Sequence, residues 1–332
     1  MDLTALPIVR AVDLAEATAS TPWLVEALWS RAGVGILGGA PKCCKSWLGL
    51  DLALSVASGT PCLDTFAVHD PGPALIYLAE DAAPVVKQRL LGLCAHRGLG
   101  LAAQAIHVIT AATLRLDEAH DQRRLRDAVG AIRPRLLLLD PFVRMHRVDE
   151  NDAGQVAGVL GYLRGLQREH DAAVLVVHHA RKGAAGPNAM GQSLRGSGDL
   201  HAWGDSNLYL QRRREGLTLT LEHRAAASPE PVRLTLDTAN NRPRLRVVSE
   251  ATSEGEGDDE RDDDAAGNTL AERVVATLRA SPAPLSRNEL RATLRVRNER
   301  LGTTLGELVA AQRVTRVGER WACAGIPVPA AP

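Results

Sequence analysis

Between Val34 and Asp237, short apolar runs alternate with stretches in which apolar residues recur every three or four positions. The short runs are typical of buried strands, and the longer period is that of amphipathic helices. The predicted strands span residues 34–37, 74–78, 106–109, 136–139 and 173–177, and the predicted helices span 45–57, 83–96, 118–132 and 152–170. This alternation predicts an α/β fold, in which a mainly parallel sheet carries helices on both faces.

Beyond Leu208 the period of the pattern changes to two. Residues 217–221 and 232–236 alternate apolar and polar side chains, and the proline-containing stretch 225–231 joins them. Such alternation is typical of half-buried antiparallel strands. We therefore expect a hairpin that closes the parallel sheet.

A third pattern starts at Leu270 and predicts a small separate domain. Ser286 and Glu289 form a capping box at the start of the second of three helices. The predicted helices span residues 270–280, 286–294 and 298–312, and a two-residue turn joins strands 314–317 and 320–321. Three helices followed by a hairpin predict a winged helix-turn-helix.

Charge divides the chain further, although its 39 basic and 39 acidic residues cancel. Residues 250–266 hold nine acids against Arg261 alone, which predicts a disordered linker, whereas ten Arg face five Glu from Leu270 onward. The predicted segments are an N-terminal segment packing on the core (1–30), the α/β domain (31–248), the acidic linker (249–268), the winged helix (269–325) and a flexible tail (326–332).

Two features of the composition bear on the compartment. No run of about 18 apolar residues occurs, and the first ten residues are not a secretion signal, so neither a membrane span nor export is predicted. The five cysteines are odd in number and lack CxxC spacing, which indicates neither a disulfide framework nor a zinc site. A cytoplasmic protein fits best.

The first predicted strand runs into a loop that has the pattern of a phosphate-binding P-loop. Backbone N–H groups at a helix N-terminus cradle phosphate, a Lys reaches the β- and γ-phosphates, and a hydroxyl ligates Mg²⁺. We expect ATP and Mg²⁺ to bind here. The predicted nucleotide-binding residues are Gly39, Ala40, Pro41, Lys42, Cys43, Cys44, Lys45, Ser46 and Trp47.

Cys44 departs from the P-loop pattern, which has Gly immediately before the Lys. A side chain at this position disfavours a backbone conformation that Gly adopts freely. Two interpretations stay open. Either the loop tolerates a small residue, or the thiol has a lowered pKa beside Lys45 at a helix N-terminus and is redox-sensitive.

Acidic and polar residues end three of the other predicted strands. Asp140 follows four leucines, as in a Walker B strand that delivers a carboxylate to Mg²⁺. Glu80 follows the strand at 74–78 and is a candidate to activate water, the alternative being a charge that only favours the next helix N-terminus. His179 ends the strand at 173–177 and is a candidate γ-phosphate sensor, with metal ligation by His178 and His179 as the rival.

With these motifs, residues 23–236 resemble the RecA-like ATPases of the hexameric RepA replicative helicase group, of the AAA_25 type and related to DnaB and KaiC. The strings that carry the resemblance are Leu78-Ala79-Glu80-Asp81, Leu139-Asp140-Pro141-Phe142, Asp149-Glu150-Asn151-Asp152, His178-His179-Ala180-Arg181-Lys182-Gly183 and Arg195-Gly196-Ser197. The resemblance implies that Glu80 is catalytic and that His179 is the sensor.

The resemblance also implies a ring, in which an Arg of one subunit reaches the nucleotide of the next. The position of this finger in the RepA helicases falls near Asp205, so Arg224 and Arg195 are the candidates here, with Arg224 preferred. Single-stranded DNA would pass through the central channel and contact the loops after the Walker B and sensor strands. The cations of these loops are Arg144, Arg147, Arg181 and Lys182.

Duplex DNA is the expected ligand of the winged helix. Arg297 and Arg300 flank the start of its third helix, and Arg316 lies in the hairpin. Protein docking is the alternative, since winged helices serve both purposes. Two functions remain: an ATP-hydrolysing, ring-forming DNA motor or replication initiator of the RepA type from a plasmid, phage or mobile element, or a nucleotide-gated regulatory or scaffolding DNA-binding protein with weak or no hydrolysis.

Overall fold

A twisted mixed sheet organises the larger part of this computed structural model. The structure describes residues 8–14, 21–150, 152–179, 198–213, 216–238, 242–248, 270–281, 283–294, 298–318 and 320–324. The chain divides into two units, Met1–Ser253 and Glu254–Pro332. The predicted linker at 249–268 lies outside the described residues, and no helix within them is long and apolar enough to cross a bilayer.

Two short strands precede the main sheet, β1 (Trp23–Val25) and β2 (Trp29–Ser30), and they pair antiparallel. Leu24, Leu28 and Trp29 are buried, and the Trp29 indole donates to the Gly33 carbonyl at 3.2 Å. The described end of the N-terminal segment thus packs into the core of the first unit.

Nine strands form the main sheet in the described residues of this unit. They are β3 (Val34–Gly39), β4 (Ala74–Leu78), β5 (Ile106–Val108), β6 (Leu136–Asp140), β7 (Ala173–His179), β8 (Ser206–Arg213), β9 (Gly216–His223), β10 (Val232–Asp237) and β11 (Arg244–Val247). Their order across the sheet is β11-β10-β9-β8-β3-β7-β6-β4-β5. The strands from β8 to β5 are parallel, and those from β8 to β11 are antiparallel.

Helices cover both faces of the parallel part, which is why β3, β4 and β6 are buried along their whole length. The helices of this unit are α1 (Lys45–Ser58), α2 (Ala83–His96), α3 (Ala119–Ile132), α4 (Ala153–His170) and α5 (Gly198–Trp203). Residues of α1 and α2 pack in one apolar core and residues of α3 and α4 in another. The predicted α/β class and mainly parallel sheet are confirmed.

Three strands extend one or two residues beyond their predicted ends, because backbone pairing continues into polar residues. β3 reaches Gly39 and β7 reaches His179, and these two residues pair with each other. β6 reaches Asp140, which pairs with Leu78 of β4. Site residues therefore lie on the sheet itself, at the carboxyl edge of the parallel strands.

The antiparallel edge is larger than the pattern predicted. The expected hairpin is present as β9 and β10, but it does not close the sheet, since β11 lies outside β10. β8 connects the hairpin to β3, and it approaches β3 so closely at its start that a Cβ on Gly35 would lie 1.7 Å from the Ser206 carbonyl oxygen. Glycine at this position is required by the packing.

The second unit contains three helices and a three-stranded sheet in its described residues. They are α6 (Leu270–Ala280), β12 (Leu285–Ser286), α7 (Arg287–Leu294), α8 (Asn298–Ala310), β13 (Val314–Val317) and β14 (Arg320–Cys323), with strand order β12-β14-β13. The two bonds of the capping box are present: Ser286 N–H donates to Glu289 Oε2 at 2.7 Å, and Glu289 N–H donates to Ser286 Oγ at 3.3 Å. α8 ends before the predicted Gln312, which has a positive φ of 54°.

Candidate functional site

The loop between β3 and α1 wraps a cavity of about 300 Å³ at the carboxyl edge of the sheet. α1 begins at Lys45, so its first N–H groups face this cavity without carbonyl partners from a preceding turn. The other chemical groups that line it come from strands β4, β6 and β7. Lys45, Ser46, Glu80, Asp140 and His179 are all lining residues.

Lys45 is buried and its ammonium group is held inside the loop. Nζ donates to the carbonyl oxygens of Gly39 at 2.9 Å and Ala40 at 2.8 Å. Burial lowers the pKa of Lys45, and the neighbouring Asp140 opposes this effect. A phosphate group offers a buried ammonium a stronger partner than two neutral carbonyls do.

Asp140 ends β6 as a buried carboxylate, and its Oδ2 atom lacks a hydrogen-bond partner among the described residues. Burial raises the pKa of Asp140 to about 6, while a hydrogen bond from Ser46 and the charge of Lys45 act in the opposite direction. A buried carboxylate with an unused oxygen is costly unless a cation lies against it.

These residues fit a magnesium ion that is bound together with a nucleotide. Mg²⁺ usually takes only one or two protein ligands and completes its shell with water and substrate phosphates. The Ser46 hydroxyl and the Asp140 carboxylate supply that number. The described residues contain no cluster of three or more His, Cys, Asp or Glu side chains that would hold a metal alone.

Cys44 occupies the glycine position in a left-handed conformation, with φ 69° and ψ 22°. The sequence reasoning about backbone strain at this position therefore holds. Burial raises the pKa of Cys44, and the charges of Arg212 and Lys45 only partly offset it. This removes the basis for the redox interpretation, because a thiol with a raised pKa forms less thiolate.

Glu80 and Asp81 follow β4, and each carboxylate is paired with an arginine. Arg144 Nε donates to Glu80 Oε1 at 2.7 Å, and Arg89 Nη1 donates to Asp81 Oδ2 at 2.6 Å. The Arg89 guanidinium also lies over the ring of Trp47, 5.3 Å from its centroid. Glu80 thus borders the phosphate cavity while it contacts the loop that follows β6.

The two histidines at the end of β7 point to opposite sides of the sheet, as strand geometry requires. His179 lines the phosphate cavity. His178 is buried on the other side, where its ring centroid lies 6.0 Å from that of Phe142 and its Nδ1 lies 3.8 Å from Glu150 Oε1. Of the two, His179 therefore faces the phosphate cavity.

Arg224, the preferred trans finger, lies far from the phosphate cavity of its own chain. Its N–H donates to the Asp205 carbonyl at 2.9 Å, and the Asp205 N–H donates to the carbonyl of Val34, the first residue of β3, at 2.7 Å. Its side chain is 52% exposed and pairs with Asp205 Oδ1 at 3.2 Å. Arg195, the alternative, lies outside the described residues.

The residues predicted to contact DNA are only partly described. Arg147 is 70% exposed and lies 3.5 Å from Glu118 Oε1. Arg316 is exposed on β13, with its guanidinium 5.7 Å from the ring centroid of Trp321. Arg181, Lys182, Arg297 and the side chain of Arg300 lie outside the described residues.

Arg212 is a site residue that the sequence did not reveal. It lies near the end of β8, and its Nη2 is 3.3 Å from the Lys42 carbonyl oxygen and 3.7 Å from Cys44 Sγ. Its position beside the loop depends on β8 pairing with β3, which no local pattern announces. Once that pairing is known, the cation beside the loop follows from the register.

One strand, β7, lies between the loop-bearing strand β3 and the acid-bearing strand β6. Two solved structures are similar in fold. The ATPase domain of a DnaB-like helicase matches with a TM-score of 0.49 at 14% identity, over 64% of this chain and 84% of that one. The RadB recombinase matches with a TM-score of 0.48 at 16% identity, over 66% of this chain and 92% of that one.

The comparison with protein families matches residues 2–185, more than half of the chain, to the AAA_25 family, described as an AAA domain. The matched range contains the loop after β3, Glu80, Asp140 and His179. The chain therefore belongs to the AAA_25 family and is a RecA-like P-loop ATPase.

Proposed function

We propose that this protein is an ATP-hydrolysing, ring-forming DNA motor or replication initiator of the RepA type, carried by a plasmid, phage or other mobile element. The observation that supports ATP hydrolysis most directly is the convergence on one cavity of a buried lysine, a hydroxyl bonded to a buried carboxylate, and a second carboxylate. These groups are Lys45, Ser46, Asp140 and Glu80.

Each group has a distinct task in the proposed reaction. Lys45 exchanges its loop carbonyls for the β- and γ-phosphates, and the N–H groups at the start of α1 hold the phosphate oxygens. Ser46 and Asp140 hold Mg²⁺, which offsets the negative charge of the transferred phosphoryl group. Glu80 orients the attacking water, and His179 senses the γ-phosphate from the end of β7.

A homo-oligomer, and specifically a hexamer, is part of the proposal. Arg224 lies at the edge of the sheet opposite its own phosphate cavity, so it acts on a nucleotide only if another subunit presents one. An arginine in trans supplies positive charge where the transition state gains negative charge. Sizing the protein with a non-hydrolysable ATP analogue tests assembly; a monomer at every concentration contradicts it.

DNA is the proposed partner of both units. Single-stranded DNA contacts the loops after β6 and β7 through Arg144, Arg147, Arg181 and Lys182, and duplex DNA contacts the winged helix through Arg297, Arg300 and Arg316. The three-helix and hairpin arrangement of the second unit supports the winged-helix assignment. The free thiols of all five cysteines support a reducing, cytoplasmic location.

ATP turnover with and without single-stranded DNA tests the motor. The wild type should hydrolyse ATP faster with DNA, and Lys45→Ala should lose activity at least about 100-fold because the phosphates lose their cation. Lys87→Ala, which removes an exposed lysine of α2, is the matched control and should behave as wild type. Equal turnover by the wild type and Lys45→Ala would exclude this site as the catalytic one.

The left-handed Cys44 favours a second candidate, a nucleotide-gated regulatory or scaffolding DNA-binding protein that hydrolyses ATP weakly. A strained loop with a side chain beside the phosphates is compatible with binding without fast hydrolysis. Bound but unhydrolysed ATP, with DNA affinity that changes on ATP binding, identifies this second function. DNA-stimulated turnover identifies the first.

A further inference from the structure

Glu80 forms the wall between two cavities. One is the phosphate cavity, and the other is a separate cavity of about 430 Å³. The second cavity is lined by Tyr77, Thr113, Arg115 and Arg144 as well as Glu80. Glu80 is the residue that the described linings of the two cavities have in common, so a group in either cavity acts on the same carboxylate.

Two guanidinium groups and a hydroxyl border the second cavity, against the single carboxylate of Glu80. Guanidinium groups bind phosphate oxygens through two parallel N–H bonds, and a hydroxyl adds a further donor. Because more than half of the Arg144 side chain is exposed, an incoming anion reaches it from solvent. The chemistry of this cavity is that of a site for one phosphate group.

The Arg144 side chain is free to change partner without moving the loop that carries it. Arg115 Nη1 donates to the carbonyl oxygens of Arg144 at 3.0 Å and His146 at 3.3 Å, and Leu116 N–H donates to the Met145 carbonyl at 2.6 Å. These bonds fix the backbone after β6 independently of the ion pair with Glu80. Breaking that pair therefore costs no tertiary structure.

We propose that the second cavity binds a backbone phosphate of single-stranded DNA, and that Arg144 is a positioning residue that holds Glu80 away from the attacking water until this phosphate takes its guanidinium. The inference rests on the proposed function, since it assigns Glu80 as the group that orients water. It adds a phosphate site and a physical link between DNA and hydrolysis.

The size of the effect follows from the exposure of the pair. The side chains of Arg144 and Glu80 are 63% and 49% exposed, so the pair shifts the Glu80 orientation by a factor of about two to five. Removing the guanidinium should raise turnover without DNA by that factor. The KM for ATP should not change, because Arg144 does not line the phosphate cavity.

The test measures kcat and KM for ATP with and without oligo-dT, in wild type, Arg144→Ala and Arg144→Lys. Arg144→Ala should have a kcat without DNA about two- to fivefold above wild type, and DNA should add little. Arg144→Lys keeps a cation and should retain low basal turnover. The control is Arg126→Ala, which breaks an ion pair of similar exposure with Glu169 and should leave basal turnover unchanged.

Four outcomes overturn the inference. If basal kcat does not rise in Arg144→Ala while its melting temperature equals that of wild type, Arg144 does not restrain Glu80. If Arg144→Lys behaves as Arg144→Ala, the charge is not what restrains it. If Arg144→Ala is activated but oligo-dT still stimulates it fully, DNA phosphate does not act through Arg144. Equal activation by inorganic phosphate at matched ionic strength would assign the cavity to free phosphate.

Failure of the proposed function gives a different result. In that case the wild type lacks turnover above that of Lys45→Ala under all conditions. An active wild type that is insensitive to Arg144 substitutions overturns only the inference.

Discussion

Replacing Cys44 by glycine should stabilise the first unit. The left-handed conformation of Cys44, φ 69° and ψ 22°, costs a residue with a Cβ about 1–2 kcal/mol. Glycine adopts this conformation without that cost but loses about 0.5–1 kcal/mol more conformational entropy on folding. The difference leaves a net gain of about 0.5–1 kcal/mol in the free energy of unfolding.

Cys44→Ala is the matched control, because it removes the sulfur and its 3.7 Å contact with Arg212 but keeps the Cβ. The assay is urea or thermal unfolding of both variants beside the wild type, followed by a signal of the first unit. Cys44→Gly should exceed Cys44→Ala by about 1 kcal/mol, which corresponds to about 2–4 °C in melting temperature. Equal stability of the two variants would refute the argument that the backbone at Cys44 is strained.

Two further substitutions test the packing that holds the site. Arg97→Ala should destabilise the protein by about 3–5 kcal/mol, because it leaves the buried Asp51 carboxylate without its 2.8 Å partner; a urea midpoint equal to wild type contradicts this. Gly35→Ala should cost more than about 3 kcal/mol, because its Cβ would collide with the Ser206 carbonyl. Gly158→Ala, in open space on α4, should instead gain about 0.5–1 kcal/mol; thermal unfolding of both glycine variants decides.

The parallel half of the sheet was predictable from sequence because its signals are local. The boundaries of α2 match at both ends, since proline at its start and the charged residues after it mark them. The loop before Lys45 was recognisable because phosphate binding needs a fixed spacing of residue types. Buried strands such as β6 read as continuous apolar runs, and the acid that ends β6 is conspicuous after four leucines.

The contacts between distant segments were not predictable in this way. β8 and β11 join the sheet through pairings with β3 and β10, which depend on the whole fold rather than on a local period. For the same reason the approach of Arg212 to the loop was missed. Arg144 was interpreted only as a DNA contact, because its ion pair with Glu80 joins residues 64 positions apart.

Calorimetric titration of reduced protein with Mg-ATP tests the central claim most directly. The claim is that the loop after β3 binds a triphosphate although Cys44 stands in the place of its last glycine. Wild-type protein should bind ATP in the presence of Mg²⁺ with a saturable heat, and Lys45→Ala should show only the heat of dilution. Absence of saturable heat with wild-type protein, for both ATP and ADP, would contradict the claim.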